Sequence, residues 1–167
     1  MNVVAVIGAG RASPEELAAA EAVGRGLAAA GVTIVCGGLA GVMEAACRGA
    51  KSAGGTTIGI LPGDRREDAN PWVDVAIPTG MGEARNALVV RTAEAVVAVG
   101  GEYGTLSEIA FALRIGLPVV GLRTWELRRR GAVDAGIVPV DSAVDAIDAI
   151  LARLPSGVPE GHDGSAT

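Results

Sequence analysis

Hydrophobic positions in this 167-residue chain alternate between two textures. Short apolar runs rich in Val, Ile and Ala occur at Val3 to Ile7, Val32 to Cys36, Thr56 to Ile60, Val73 to Ile77, Ala95 to Val99, Pro118 to Leu122 and Ile137 to Val140. Runs with so little polar interruption are expected of strands covered on both faces. Between them lie longer stretches with helical spacing. The first carries three start signals at once in Ser13-Pro14-Glu15-Glu16: an N-cap Ser, Pro at the first helical position and Glu placed to close a capping box. It is predicted to run to Ala30, with Leu17, Ala20, Gly24 and Leu27 as the buried stripe, small enough to pack closely on a sheet. Further helices are predicted over Val42 to Ala53, Gly82 to Thr92 and Thr105 to Ile115, and from a cap at Asp141 to about Leu154. Leu61 to Trp72 reads as a polar loop, long enough to form a lid or rim.

Strand, turn and helix repeated in this way predict an α/β fold, a Rossmann-like doubly wound parallel sheet with helices on both faces in three layers. Residues 1–154 are expected to form a single nucleotide- or phosphate-binding domain, and 155–167, rich in Gly, Pro, Ser and Asp, a disordered tail. Ligands of such folds sit at the carboxyl ends of the strands. Glycine-rich turns follow the strands at that edge: Gly8-Ala9-Gly10, Gly37-Gly38-Leu39-Ala40-Gly41, Thr79-Gly80 and Gly100-Gly101-Glu102-Tyr103-Gly104. The last opens a helix, whose free N–H groups and positive dipole end favour an anion, most often a phosphate. The turn before Val42 and Met43 repeats the arrangement.

Composition narrows the choice of partner. A net charge of −5, with one Tyr, one Phe and two Trp, makes a nucleic-acid partner an unfavourable reading, since neither a basic face nor a stacking platform is available. Arg128-Arg129-Arg130 reads as a solvated stretch between core segments. No apolar run reaches the roughly twenty residues of a membrane helix, so no membrane partner is expected. Met1-Asn2-Val3 enters a strand with no basic flank, from which a cytoplasmic protein without a secretion signal is expected. Cys36 and Cys47 lack metal-ligand spacing and read as buried reduced thiols, and no metal site is expected. The single histidine, His162, lies in the tail, so chemistry must rest on carboxylates, Arg, Tyr or backbone.

Arg85 and Glu108 are the candidates for that chemistry. Arg85 falls in the first turn of a predicted helix, where a cation opposes the dipole and a bound anion would offset the cost. For Glu108 the plainer reading is structural, since Thr105-Leu106-Ser107-Glu108 is itself a capping-box sequence. Glu44 and Glu83 read as solvated carboxylates, and Asp64, Glu67 and Asp68 as loop acids rather than a magnesium site.

These segments, taken in order, carry a resemblance. Gly37-Gly38-Leu39-Ala40-Gly41-Val42-Met43-Glu44, Gly59-Ile60-Leu61-Pro62-Gly63, Thr79-Gly80 through Arg85-Asn86, and Tyr103-Gly104-Thr105-Leu106-Ser107-Glu108 resemble the lysine decarboxylase-like superfamily. That superfamily includes the Lonely Guy phosphoribohydrolases, which release cytokinin bases from nucleoside 5′-monophosphates, and the molybdenum-cofactor carrier proteins. The Thr-Gly-Met-Gly-Glu-Ala-Arg-Asn segment and the Leu-Ser-Glu ending look closer to the carriers. The resemblance implies a small phosphorylated ligand, the molybdenum cofactor among the candidates. It also implies Arg85 and Glu108 as catalytic residues if turnover occurs, and a homo-oligomer, either dimer or tetramer. The ligand-binding positions it and the turns together imply are Gly8, Gly10, Gly37, Gly38, Gly41, Val42, Met43, Thr79, Gly80, Asn86, Gly100, Gly101, Tyr103, Gly104 and Thr105. Gly100 and Glu102 depart from the hydrolase motif Pro-Gly-Gly-x-Gly-Thr-x-x-Glu, and a carboxylate at Glu102 must repel a bound phosphate or point away. Carrier and hydrolase both remain open, whereas amino-acid decarboxylation is rejected because Lys51 is the only lysine. A more distant likeness to bacterial DNA-uptake proteins runs against the acidic charge.

Overall fold

In the computed structural model, which describes residues 2–155, seven strands form one parallel sheet. They are β1 (Val3–Gly8), β2 (Thr33–Cys36), β3 (Thr57–Leu61), β4 (Val75–Pro78), β5 (Ala95–Val99), β6 (Val119–Leu122) and β9 (Ile137–Val140). Their order is β4-β3-β2-β1-β5-β6-β9, so the winding reverses between β1 and β5. The helices are α1 (Pro14–Ala29), α2 (Val42–Ser52), α3 (Asn86–Thr92), α4 (Tyr103–Arg114) and α5 (Ala143–Leu151). This is the three-layer doubly wound architecture expected. The predicted tail beyond Pro155, with His162, lies outside the described residues.

Side-chain alternation along each strand divides the core in two. Val4, Val6, Ile34, Val97 and Val99 point toward α1, α2 and α5, while Ala5, Ile7, Val35, Val96 and Ala98 point toward α3 and α4. The capping box of α1 forms as read: Ser13 Oγ accepts from Glu16 N–H, and Glu16 accepts from Ser13 N–H. The small residues of α1 serve a different contact from the one expected. A Cβ on Gly24 would lie 2.0 Å from the Ala46 carbonyl oxygen, and one on Gly49 would lie 1.9 Å from the Glu21 carbonyl oxygen, so glycine brings α1 against α2 rather than against the sheet.

Three local expectations are corrected. The predicted helix from Gly82 opens as a 3₁₀ turn, Gly82–Arg85, before α3 begins at Asn86. Ser142, not Asp141, caps α5, its hydroxyl accepting from Asp145 N–H. The basic run is half of a hairpin, β7 (Arg128–Arg129) with β8 (Ala132–Val133), closed by Arg130 and Gly131 at φ 52° and 86°.

One face is left open. Val75 and Ile77 of β4 pair in register with Ile58 and Ile60, on the side of the sheet that carries α3 and α4, yet both are exposed. Arg66 donates to the Ala76 carbonyl and so occupies part of the β4 edge. No helix among the described residues is long and apolar enough to cross a membrane.

Candidate functional site

The turns after β1, β2 and β5 meet at the point where the winding reverses, which is where such sheets open a crevice. A cleft of about 370 Å³ lies there. Of the residues expected to bind or act, Gly8, Gly10, Gly37, Met43, Arg85, Asn86, Gly104, Thr105 and Glu108 line it. Gly38, Gly41, Val42, Thr79, Gly80, Gly100, Gly101 and Tyr103 are not in its wall.

The reason differs from turn to turn. Gly38 N–H points at Cys36 Sγ, 3.3 Å away, and its carbonyl accepts from Asn70 N–H. Val42 is fully buried and its N–H donates to the Ala9 carbonyl. The expected use of the Gly38 to Val42 amides on a ligand therefore fails at both ends of that loop, because the fold already employs them. Gly41, at φ 71°, gives the Ala9–Gly10 backbone room to pass. Thr79 and Gly80 tie the rim together: Thr79 Oγ1 donates to the Leu61 carbonyl and Gly80 N–H to the Gly63 carbonyl. Gly100, at φ 53°, lies against the Glu16 carboxylate of the α1 cap and donates to the Leu122 carbonyl. Tyr103 is 80% exposed and tilts against Trp125 outside the cleft.

The other glycine turn keeps its amides available. Glu102 is the N-cap of α4, and Leu106 N–H is the first to reach back, to the Glu102 carbonyl. The N–H groups of Tyr103, Gly104 and Thr105 precede it and have no intrahelical partner. The capping box expected at Thr105 to Glu108 does not form, since the helix starts two residues earlier and Thr105 lies within it. Glu108 is thus released from a capping role and turns its carboxylate toward the cleft.

Arg85 rises from the 3₁₀ turn into the same space. Only 8% of it is exposed, and a Cβ on Gly37 would lie 2.7 Å from Arg85 Nη2, so Gly37 makes room for the guanidinium. Arg85 Nη1 donates to Asn86 Oδ1 and lies 4.0 Å from Glu108 Oε1, while Arg85 Nε has no partner among the described residues. A buried guanidinium with unused donors is costly unless something accepts from it. Burial pushes the Glu108 carboxyl up to about 7 against the opposing pull of Arg85. Burial likewise lowers the Arg85 pKa, with Glu108 acting against it.

Beneath the floor, Cys36 Sγ and Cys47 Sγ lie 3.5 Å apart as free buried thiols, as expected. Among the described residues no group of three His, Cys, Asp or Glu side chains is placed to hold a metal. Sequence reasoning passed over Asn70, which reads only as a turn signal before Pro71; its Nδ2 donates to the Leu39 carbonyl at 3.0 Å and fixes the first glycine loop. Glu83 is exposed, as its solvated reading has it, and with Glu102 it also lines the cleft.

The chain belongs to the SLOG cluster4 family, which matches residues 1–150. An uncharacterized protein of Archaeoglobus fulgidus is 46% identical over 121 residues, spanning 72% of this chain and 79% of that one. The molybdenum cofactor binding protein from the phototrophic bacterium Rippkaea orientalis matches the fold with a TM-score of 0.82 and 34% identity, over 90% of this chain and 96% of that one. The molybdenum cofactor carrier protein of Chlamydomonas reinhardtii matches with a TM-score of 0.79 and 33% identity, over 91% and 97%. These neighbours put the chain in the carrier-like branch of the lysine decarboxylase-like superfamily.

Proposed function

We propose that this protein binds a phosphorylated, nucleotide-like ligand in the cleft, and that a pterin-type molybdenum cofactor is such a ligand. The observation that carries the reading is Arg85, buried with a donor unfilled and facing the free amides of the α4 N-terminus. An anion accepting from both would satisfy groups the fold leaves open. The donor set suits the phosphate of a pterin cofactor, with Arg85, Gly104 and Thr105 as the residues that would hold it. The likeness to cofactor-binding and carrier proteins supports the same class of ligand. Thermal-shift measurements with inorganic phosphate, nucleoside monophosphates and pterin phosphates test it. A concentration-dependent rise in melting temperature is expected, and no rise with any of them refutes the reading.

A second reading follows from Glu108. A carboxyl that titrates near 7 beside an arginine is suited to orient water and stabilise the oxocarbenium-like state of N-glycosidic cleavage. Nucleoside monophosphate phosphoribohydrolase activity would then release free base from AMP, and that release would be lost in Glu108→Gln. If no base is formed, binding alone remains.

The assembly we propose is a homo-oligomer. Val75 and Ile77 leave an exposed apolar strip in a sheet type that is ordinarily covered on both sides. A second copy packed there would bury it.

A further inference from the structure

Three carboxylates, Glu83, Glu102 and Glu108, share the cleft with one guanidinium, Arg85. Burial keeps Glu108 substantially protonated near neutrality, but Glu83 and Glu102 are exposed, at the mouth. Two carboxylates there repel a small bare anion on its way in. Neither has an ion-pair partner among the described residues, and Glu102 accepts no capping hydrogen bond from its own helix. The unfilled Arg85 Nε, in the same cleft, independently calls for a ligand. The ligand that meets both conditions is negative at one end and rich in N–H donors at the other.

We infer that the cleft reads both ends of its ligand: Arg85 and the α4 amides take a phosphate, while Glu83 and Glu102 accept the paired N–H donors of a 2-amino-4-oxopyrimidine ring, the edge common to guanine and pterin. This rests on the ligand-binding reading above. The edge presents a ring N–H and an amino N–H side by side, which the two oxygens of one carboxylate match. Adenine offers one donor and one acceptor at the corresponding edge, and its ring nitrogen meets a carboxylate lone pair with none to share. The cleft volume of about 370 Å³ falls in the range of small-ligand sites. Glu102, which stands where the hydrolase motif has glycine, is with Glu83 one of the two carboxylates that select the base.

Calorimetric titration of the full chain with GMP, AMP and inorganic phosphate, in EDTA to exclude bridging metal, tests the inference. GMP is expected to bind on the order of tenfold to a hundredfold more tightly than AMP. The Glu102→Gln or Glu83→Gln variant is expected to lose that preference or shift it toward AMP, because an amide offers one acceptor and one donor. Both sites are exposed, and unchanged melting of the ligand-free variants confirms that they fold. Equal binding of GMP and AMP, tighter AMP, or a preference unmoved in both variants overturns the inference while leaving the phosphate site standing. Failure of all three probes to bind overturns the inference, and if pterin phosphates also give no rise in melting temperature the ligand-binding reading falls with it.

Discussion

The Glu108 carboxyl gives the candidate site a measurable signature before any ligand is known. In the folded protein burial raises its pKa to about 7, whereas in the unfolded chain it returns to about 4.5. Between those values the native state holds a proton that the unfolded state has released. The contribution to stability is therefore fully present below pH 4.5 and is lost as pH rises through 7. At about 1.4 kcal/mol for each pH unit, the whole gap amounts to about 3 kcal/mol. Roughly 2.5 kcal/mol of it falls between pH 5 and pH 8. Glu108→Gln keeps the shape and cannot titrate, so the stability difference between wild type and variant isolates this one group.

Thermal unfolding followed by circular dichroism at pH 5, 6, 7 and 8, in buffer free of phosphate, is the assay. For a domain of this size the wild type should lose roughly 5–10 °C of melting temperature relative to Glu108→Gln across that range. The variant is expected to be the more stable protein at pH 8. A difference that stays flat from pH 5 to pH 8 would refute the argument, since Glu108 would then be ionised throughout and Arg85 would already be its full partner.

Three further outcomes are expected. Arg85→Gln should abolish the rise in melting temperature given by phosphate-bearing ligands, through a loss of about 2–5 kcal/mol of binding, without lowering the ligand-free melting temperature; a retained rise in a thermal-shift assay counts against Arg85 as the anion partner. Gly24→Ala forces a methyl toward the Ala46 carbonyl and should destabilise by about 1–3 kcal/mol in urea unfolding, an effect absent if α1 and α2 slide apart freely. In sedimentation velocity the wild type is expected to run as the homo-oligomer proposed above and Ile77→Lys as a monomer; a monomeric wild type refutes that assembly, and an oligomeric variant refutes this face as its interface.

The strands of the parallel sheet were legible because burial on both faces leaves near-continuous apolar runs, such as Val96 to Val99, that no helix of this amphipathic type would show. The β7–β8 hairpin was not legible. Arg128 and Arg129 are exposed on both sides and carry no hydrophobic alternation, and the turn depends on a positive φ at Arg130, a residue type that seldom signals one. The start of α4 was misread for a related reason. Thr105 to Glu108 satisfies the local capping pattern, but Gly100 and Gly101, at φ 53° and 107°, turn the chain early and hand the N-cap to Glu102. Arg85 and Glu108 were each legible as candidates, yet their meeting in one cleft joins elements separated by β5, and no spacing along the chain encodes it.

That meeting is also incomplete, and the proposed ligand-binding reading rests on the incompleteness. At 4.0 Å the two charged groups are too far apart for a hydrogen-bonded ion pair, and Arg85 relies on Asn86 for its one hydrogen bond among the described residues. Closing the pair would satisfy both groups, hold Glu108 ionised and leave nothing for a ligand to do. Keeping it open leaves a donor unfilled at Nε, a carboxyl balanced between its two forms and free amides at the end of α4, all in one cleft. A fold selected for stability alone would replace such groups by apolar ones. On the ligand-binding reading proposed above, an anion entering the cleft would return the stability that these open groups cost.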